Sequence, residues 1–399
     1  MGARYATSWW SCQGPTRNRA APTLTEVSAT ASLGASQRSA PVAPCSLGLC
    51  PLGLLFKQEA PGTIRTVLVI TDERFLDHDT GSRHPERPDR LRAALAGVIA
   101  VDSELLSDGC APRRAERSEL ELVHRPEMID RVVTLAEHGG GHLDADTPMG
   151  AASLDAALLA AGAVLSAAEQ LGAEGSDAEA YCIVRPPGHH ATPKASMGFC
   201  LFNSVAVAAA ALAATGQRVA IVDVDAHHGN GTQDIFYRQD DVLYASIHQY
   251  RLYPGTGALA ERGVGPGEGS TINVPLPPGA TGEAARAALD EAIIPVVERF
   301  APDWLLISAG YDGHRADPLT GLCYSSADYG DFVRRLMPLA PRTVAVLEGG
   351  YDLEATRASS YAVAGALLGL DLRPEPASSA GPGMEVVRAA AQLARDDTR

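Results

Sequence analysis

No CxxC pair occurs anywhere in the 399 residues, and the seven cysteines (Cys12, Cys45, Cys50, Cys110, Cys182, Cys200 and Cys323) are scattered and odd in number. This argues against a disulfide framework and against a thiolate zinc site, and fits a reducing, cytoplasmic setting. Basic charge is scarce too: 33 Lys and Arg stand against 48 Asp and Glu, a formal charge of −15. Such a surface has no footprint for phosphates, so direct nucleic-acid binding is not expected, and cationic partners suit it better. No uninterrupted apolar run reaches the roughly 20 residues of a membrane helix. The longest candidate is the mixed stretch from Leu47 to Phe56, so no membrane span is expected. Internal repeats are absent. Acids are nearly missing from residues 1–62, where Glu26 and Glu59 stand alone among Ser, Thr, Ala, Pro and Arg. That aperiodic composition reads as a disordered leader, and organelle transit peptides share it.

What is present begins at Thr66. With 46% apolar residues the chain can bury a large core. Short apolar runs at Thr66–Ile70, Tyr181–Val184, Val219–Val224, Val242–Ile247, Trp304–Ser308 and Thr343–Leu347 read as buried strands. Between them, Ala151–Leu171, Ser204–Ala214, Glu283–Phe300, Ser326–Leu339 and Ala355–Leu368 are long enough for crossover helices. The expected class is α/β, with a central, mainly parallel sheet over residues 63–372. Residues 373–399 open on Pro374 and Pro376 and read as a tail carrying one exposed helix.

Ligands of an open parallel sheet bind beyond the carboxyl ends of its strands, so the residues after each run matter most. Four runs are followed by titratable side chains: Arg185-Pro-Pro-Gly-His189-His190, Asp225-Ala-His227-His228, Ala309-Gly-Tyr-Asp312 and Glu348-Gly349-Gly350-Tyr351. Strand alternation, if the extended trace continues, puts Asp223, Asp225 and His227 on one face. Asp312 could close that site from a neighbouring strand. Two carboxylates and one imidazole leave coordination positions open, which suits a catalytic rather than a structural metal. Each residue alone has a plainer reading: an Asp as a helix N-cap, a His pair on the surface, a Tyr packed over a Gly-Gly turn. Their joint placement after strands favours chemistry.

The motifs RPPGHHA (185–191), GFCLFN (198–203), VDVDAHHGNGTQ (222–233), YPGTG (253–257), SAGYDGHRADPL (308–319) and LEGGYDL (347–353), with HPERPDRL (84–91), resemble the histone deacetylase superfamily. Asn230, the Glu348-Gly-Gly-Tyr signature and Ala309-Gly310 look like its class II branch and bacterial relatives. The resemblance implies the three-layer α/β/α arginase–deacetylase fold, with one zinc on Asp225, His227 and Asp312, iron(II) being the other metal to consider. It makes His189 and His190 the catalytic pair and Tyr351 the carbonyl polariser. Asp223 then orients His189, and Asn230 stands behind His190 where some relatives have Asp. A structural potassium ion near Asp223, Asp225, His227 and Ser246 is also implied. Phe199, Tyr253, Leu319 and Gly349 would line the acyl-lysine tunnel, with Tyr253 adding a hydroxyl where Phe is common.

The expected reaction is hydrolysis of an N-acyl amide, with an acetylated lysine side chain or an acetylated small amine as substrate. His190 would serve as base and then acid, and Tyr351 would stabilise the oxyanion. A two-metal ureohydrolase on the same fold is disfavoured, because Gly229 and His314 stand where that site needs carboxylates. An acetylpolyamine amidohydrolase is favoured by the acidic charge, but Leu319 occupies the place of a Glu gatekeeper in eukaryotic polyamine-selective relatives. A catalytically silent acyl-lysine binder is the non-enzymatic alternative. The oligomeric state is left open.

Overall fold

The computed structural model describes residues 66–101, 106–108, 111–173 and 178–396, and the expected leader lies outside them. In chain order the strands are β1 Thr66–Ile70, β2 Leu106–Asp108, β3 Gly140–Asp144, β4 Thr147–Gly150, β5 Ala178–Cys182, β6 Val219–Asp223, β7 Val242–Gln249, β8 Thr271–Leu276, β9 Trp304–Ala309 and β10 Thr343–Leu347. The helices are α1 Pro88–Ile99, α2 Arg117–Leu120, α3 Pro126–Glu137, α4 Ser153–Gly172, α5 Ser204–Ala213, α6 Asn230–Phe236, α7 Gly282–Ala288, α8 Ile294–Phe300, α9 Ser326–Leu336, α10 Leu353–Leu367 and α11 Met384–Asp396.

Eight strands form one sheet in the order β2–β1–β5–β10–β9–β6–β7–β8, and every pairing in it is parallel. Strands β6, β9 and β10 are buried along their whole length. Covered on both faces, they read as continuous apolar runs instead of alternating ones. Helix α4 packs on β1, β5 and α5, while α10 packs on α1, α9 and β5, which gives the expected α/β/α layering. Strands β3 and β4 make a separate antiparallel hairpin.

Several elements differ from the sequence expectation. Strand β8 (TINVPL) escaped it because Pro275 demotes a run as a strand; β8 is an edge strand, where such a residue is tolerated. The single helix expected over Glu283–Phe300 is α7 and α8 joined by a π-turn at Leu289–Ile293, just before Pro295. Proline lacks an N–H and crowds the carbonyl four residues back, and a wider turn relieves both. Helix α4 is long and apolar enough to cross a membrane by composition, which a search for unbroken runs overlooks, but it is mostly buried in the fold. Cys182 and Cys200 are buried thiols that donate to the carbonyls of Ala163 and Gly198.

The C-terminal segment is the largest departure. Helix α11 exists as expected but is not exposed on one face: Val387, Ala390, Ala391 and Ala394 are buried against β8 and the α7–α8 turn. That face covers the sheet edge which β8 would otherwise present.

Candidate metal centre and active site

The four loops singled out by sequence follow β5, β10, β9 and β6, which are consecutive neighbours at the middle of the sheet. Parallel strands end on one side, so these loops converge there. Strand β6 stops at Asp223, however, and the extended trace expected as far as His227 does not form. Two successive side-chain turns do the work instead. Asp223 accepts the N–H of Asp225 at 3.1 Å, and Asp225 accepts the N–H of His227 at 2.8 Å. Such i to i+2 bonds fold the chain so that alternate side chains meet.

The ligand atoms of Asp225, His227 and Asp312 lie within 4.8 Å of one another, and all three residues are buried. His227 Nδ1 is 3.2 Å from Asp225 Oδ1 and 2.8 Å from Asp312 Oδ2. The remaining carboxylate oxygens are held from behind: Ala226 N–H donates to Asp312 Oδ1 at 2.7 Å and Gly349 N–H to Asp225 Oδ2 at 2.8 Å. Gly349 has to be glycine here, since a Cβ would sit 2.5 Å from both carboxylates. Burial and the Asp225 charge push Asp312 up to about 6. Burial opposes the charge of Asp225 as well, but His189 and His227 outweigh it and hold Asp225 well below the carboxylate range. Burial likewise disfavours a charged His227, yet Asp312 and Asp225 raise it to about 10. Two buried carboxylates and an imidazole nitrogen converging on one point call for a cation, and the mixed N/O donor set suits zinc or iron(II).

His189 and His190 lie beside this cluster, their rings 4.1 Å apart, with the His190 ring 5.9 Å from that of His227. His189 Nδ1 is 3.0 Å from Asp223 Oδ2, and that carboxylate also accepts from Tyr244 at 3.3 Å. His190 Nδ1 is 2.8 Å from Asn230 Oδ1. The Asn230 amide nitrogen faces Met197 sulfur, which orients its oxygen toward the imidazole. Burial works against a charged His189, but Asp225 and Asp223 raise it well above the usual range. For His190, burial and its neighbours His189 and His227 act together and drive it well below.

Tyr351 is half-buried on the other side, and burial keeps its hydroxyl protonated. The Arg90 guanidinium lies 4.8 Å over its ring. Phe199 packs edge-on against Tyr351 and His84, and Tyr253 edge-on against His190. The two expected tunnel aromatics thus flank the two expected proton donors. Leu319 is an exposed apolar residue on the loop after Asp312. Ser246 sits opposite Asp223 in the β6–β7 register, with its hydroxyl 2.9 Å from His248 Nδ1.

Sequence reasoning assigned no role to several residues that hold these groups. Glu348 accepts the N–H groups of Gly188 and His189 at 2.7 and 3.2 Å and fixes the turn beneath the His pair. Asp317 accepts the N–H of Tyr351 at 2.7 Å. Arg90 donates to the carbonyls of Glu348 and Gly350. Glu348 and Asp317 stood inside the quoted motifs; for Glu348 the signal available was a carboxylate directly after a strand with no cation nearby in sequence, whereas Asp317, two residues from Arg315, carried no such signal.

The family model for the histone deacetylase domain matches residues 84–367. The chain belongs to the histone deacetylase family. A probable deacetylase of Archaeoglobus fulgidus is 40% identical over 316 residues, which cover 76% of this chain and 87% of that protein. The histone deacetylase-like amidohydrolase of Pseudomonas aeruginosa is 37% identical over 279 residues, covering 67% and 73% of the two chains. Among solved structures, the crystal structure of the HDA15 HD domain matches with a TM-score of 0.76 at 36% identity, over 84% of this chain and 95% of that one. Histone deacetylase family membership makes the chain a hydrolase of a generally metal-dependent type that acts on acetylated substrates, and the fold is the family's arginase–deacetylase fold.

Proposed function

We propose that the chain hydrolyses N-acyl amides, with the N6-acetyl-lysine side chain as substrate, at a single metal held by Asp225, His227 and Asp312. One juxtaposition carries the reading: His190, kept neutral, and Tyr351, kept protonated, flank the buried carboxylate–imidazole cluster at the ends of four adjacent strands. Zinc or iron(II) bound there would polarise the amide carbonyl and activate water.

The chain's own groups supply the rest. Asn230 accepts from His190 Nδ1–H, which leaves Nε2 with a free lone pair to take a proton from water as it adds to the carbonyl carbon. Tyr351 donates to the carbonyl oxygen as that atom gains charge. When the C–N bond breaks, His190 returns its proton to the departing amine nitrogen, leaving a free amine and acetate. His189, paired to Asp223, keeps a positive charge beside the developing oxyanion. Phe199 and Tyr253 form the aromatic walls through which the acyl-lysine stem passes, with Gly349 at its floor and Leu319 at its lip.

The two-metal ureohydrolase reading needs a bridging carboxylate at position 229, and a Cβ there would sit 2.3 Å from Asp223 Oδ2 and 2.6 Å from the Tyr244 hydroxyl, so that carboxylate does not fit. The decisive experiment is deacylation of fluorogenic acetyl-lysine and trifluoroacetyl-lysine peptides by zinc-loaded protein, with and without a hydroxamate, beside Asp225→Ala. Hydroxamate-sensitive turnover that disappears in the variant, at one metal per chain, is the expected result. If fully loaded protein cleaves neither peptide, the lysine reading fails and acetylated polyamines become the substrates to assay.

A further inference from the structure

Glu375 lies in the segment whose sequence suggests a tail, yet both its oxygens are engaged near the centre. Oε1 is 2.7 Å from His314 Nε2 and accepts the N–H of Ser326 at 2.6 Å; Oε2 pairs with Arg315. His314 is buried; its Nδ1 accepts the N–H of Ala316 at 3.1 Å, and its carbonyl accepts the N–H of Asp317 at 2.8 Å. With Nδ1 accepting, the ring proton sits on Nε2 and is donated to Glu375. Asp317 then accepts the N–H groups of Leu319 at 2.9 Å, Tyr351 at 2.7 Å and Asp352 at 3.3 Å. An unbroken run of bonds leads from Glu375 through His314 and Asp317 to the backbone of Tyr351.

The carboxylate is also held from its own side. Ser378 donates to Asp328 at 2.6 Å and accepts the N–H of Gly282 at 2.8 Å, and α11 is packed on the sheet beyond it. Tyr351, in contrast, follows two glycines, with Gly350 at φ +117°. Such a backbone does not orient the next residue by itself, so the orientation has to be imposed from outside.

We propose that Glu375 is a positioning residue for Tyr351, acting through His314 and Asp317, and that the segment 374–396 therefore belongs to the working site. The proposal rests on the reading of Tyr351 as oxyanion donor. A hydroxyl displaced by a fraction of an ångström loses much of its effect on a developing charge, while substrate binding in the tunnel is little changed.

A double-mutant cycle tests it. In metal-loaded protein Glu375→Ala should lower kcat by ~10–100-fold, the usual loss when a supporting partner of a site is removed, with KM moved by less than about threefold. In a Tyr351→Phe background the same substitution should cost less than about twofold, because the hydroxyl it positions is already gone. Glu375→Gln, which keeps an oxygen acceptor for His314 and Ser326, should recover most of the rate. An equal loss in both backgrounds, or no loss in the first, overturns the proposal. Hydrogen exchange gives a readout independent of turnover: amides of residues 349–352 should exchange faster in Glu375→Ala while β5 and β6 stay protected, and unchanged exchange there overturns it as well. If loaded wild-type protein cleaves no acylated amine but exchange at 349–352 still responds, the activity reading falls and the positioning stands. Should Glu375→Ala not accumulate folded, Glu375→Asp, one methylene short of His314, carries the same comparisons.

Discussion

His189 and His190 share a peptide bond, yet a carboxylate behind one and an amide behind the other drive their charges apart. The neutral amide is what leaves His190 to burial and to its cationic neighbours, both of which lower it. Asn230→Asp should therefore raise His190 and move the acid limb of the kcat/KM profile to higher pH by ~1 unit or more; a superimposable profile would remove the charge argument. Tyr351→Phe should lower turnover by ~10²–10³ with metal content unchanged, as for loss of one oxyanion donor. Gly349→Ala places a methyl against both ligand carboxylates, so metal affinity should drop by ~10–100-fold, measured by competition with a chelator. At this scale the sequence was readable in placement: the ligand atoms of Asp225, His227 and Asp312 lie within 4.8 Å of one another, the His189 and His190 rings lie beside them, and Tyr351 packs edge-on against Phe199. It was not readable for Glu348 and Asp317, whose roles depend on which backbone N–H groups reach them, and that is decided by loop geometry.

Between elements, Glu86 ties the segment before α1 to the end of β5. It accepts from Arg90 on α1 at 2.9 Å and from Arg185 after β5 at 2.7 Å, all three fully buried. Burial opposes its charge, but Arg185 and Arg90 outweigh burial and hold it down to about 2. The folded value lies below the 4.5 of an ordinary glutamate. Its contribution is thus complete above that value and is lost as pH falls toward about 2. Glu86→Gln should cost about 3–5 kcal/mol at neutral pH by leaving buried guanidinium charge uncompensated, and should flatten the acid end of the stability curve. Denaturant titrations at neutral pH and near pH 3 would check both, and a variant as stable as the parent at neutral pH would contradict them. Strands β6, β9 and β10 were legible as apolar runs because a doubly covered parallel sheet has no polar face, whereas β5 (Ala178–Cys182) starts three residues before the expected run at Tyr181, since the buried Glu179 interrupts the apolar pattern. The π-turn before Pro295 and edge strand β8 were not legible, because in both a proline masks the pattern while its surroundings absorb the cost.

For the molecule as a whole, the C-terminal segment was misjudged for a compositional reason: Ala390, Ala391 and Ala394 bury a face while adding little hydrophobic signal. Val387→Asp should set a carboxylate into that face and lower global stability by about 3 kcal/mol or more, seen as a drop in Tm; an unchanged Tm would mean that the helix does not dock. The strand order carries a consequence for how the protein is made. Strand β10 lies between β5 and β9 although it is the last strand in the chain, so a chain growing on the ribosome exposes the inner edges of its own sheet until residues 343–347 emerge. Any product cut short before Thr343 lacks both the middle strand of the sheet and Tyr351. Such a fragment has two inner edges, those of β5 and β9, to offer a chaperone, and its Asp225, His227 and Asp312 stand without the strand that joins them to Gly349.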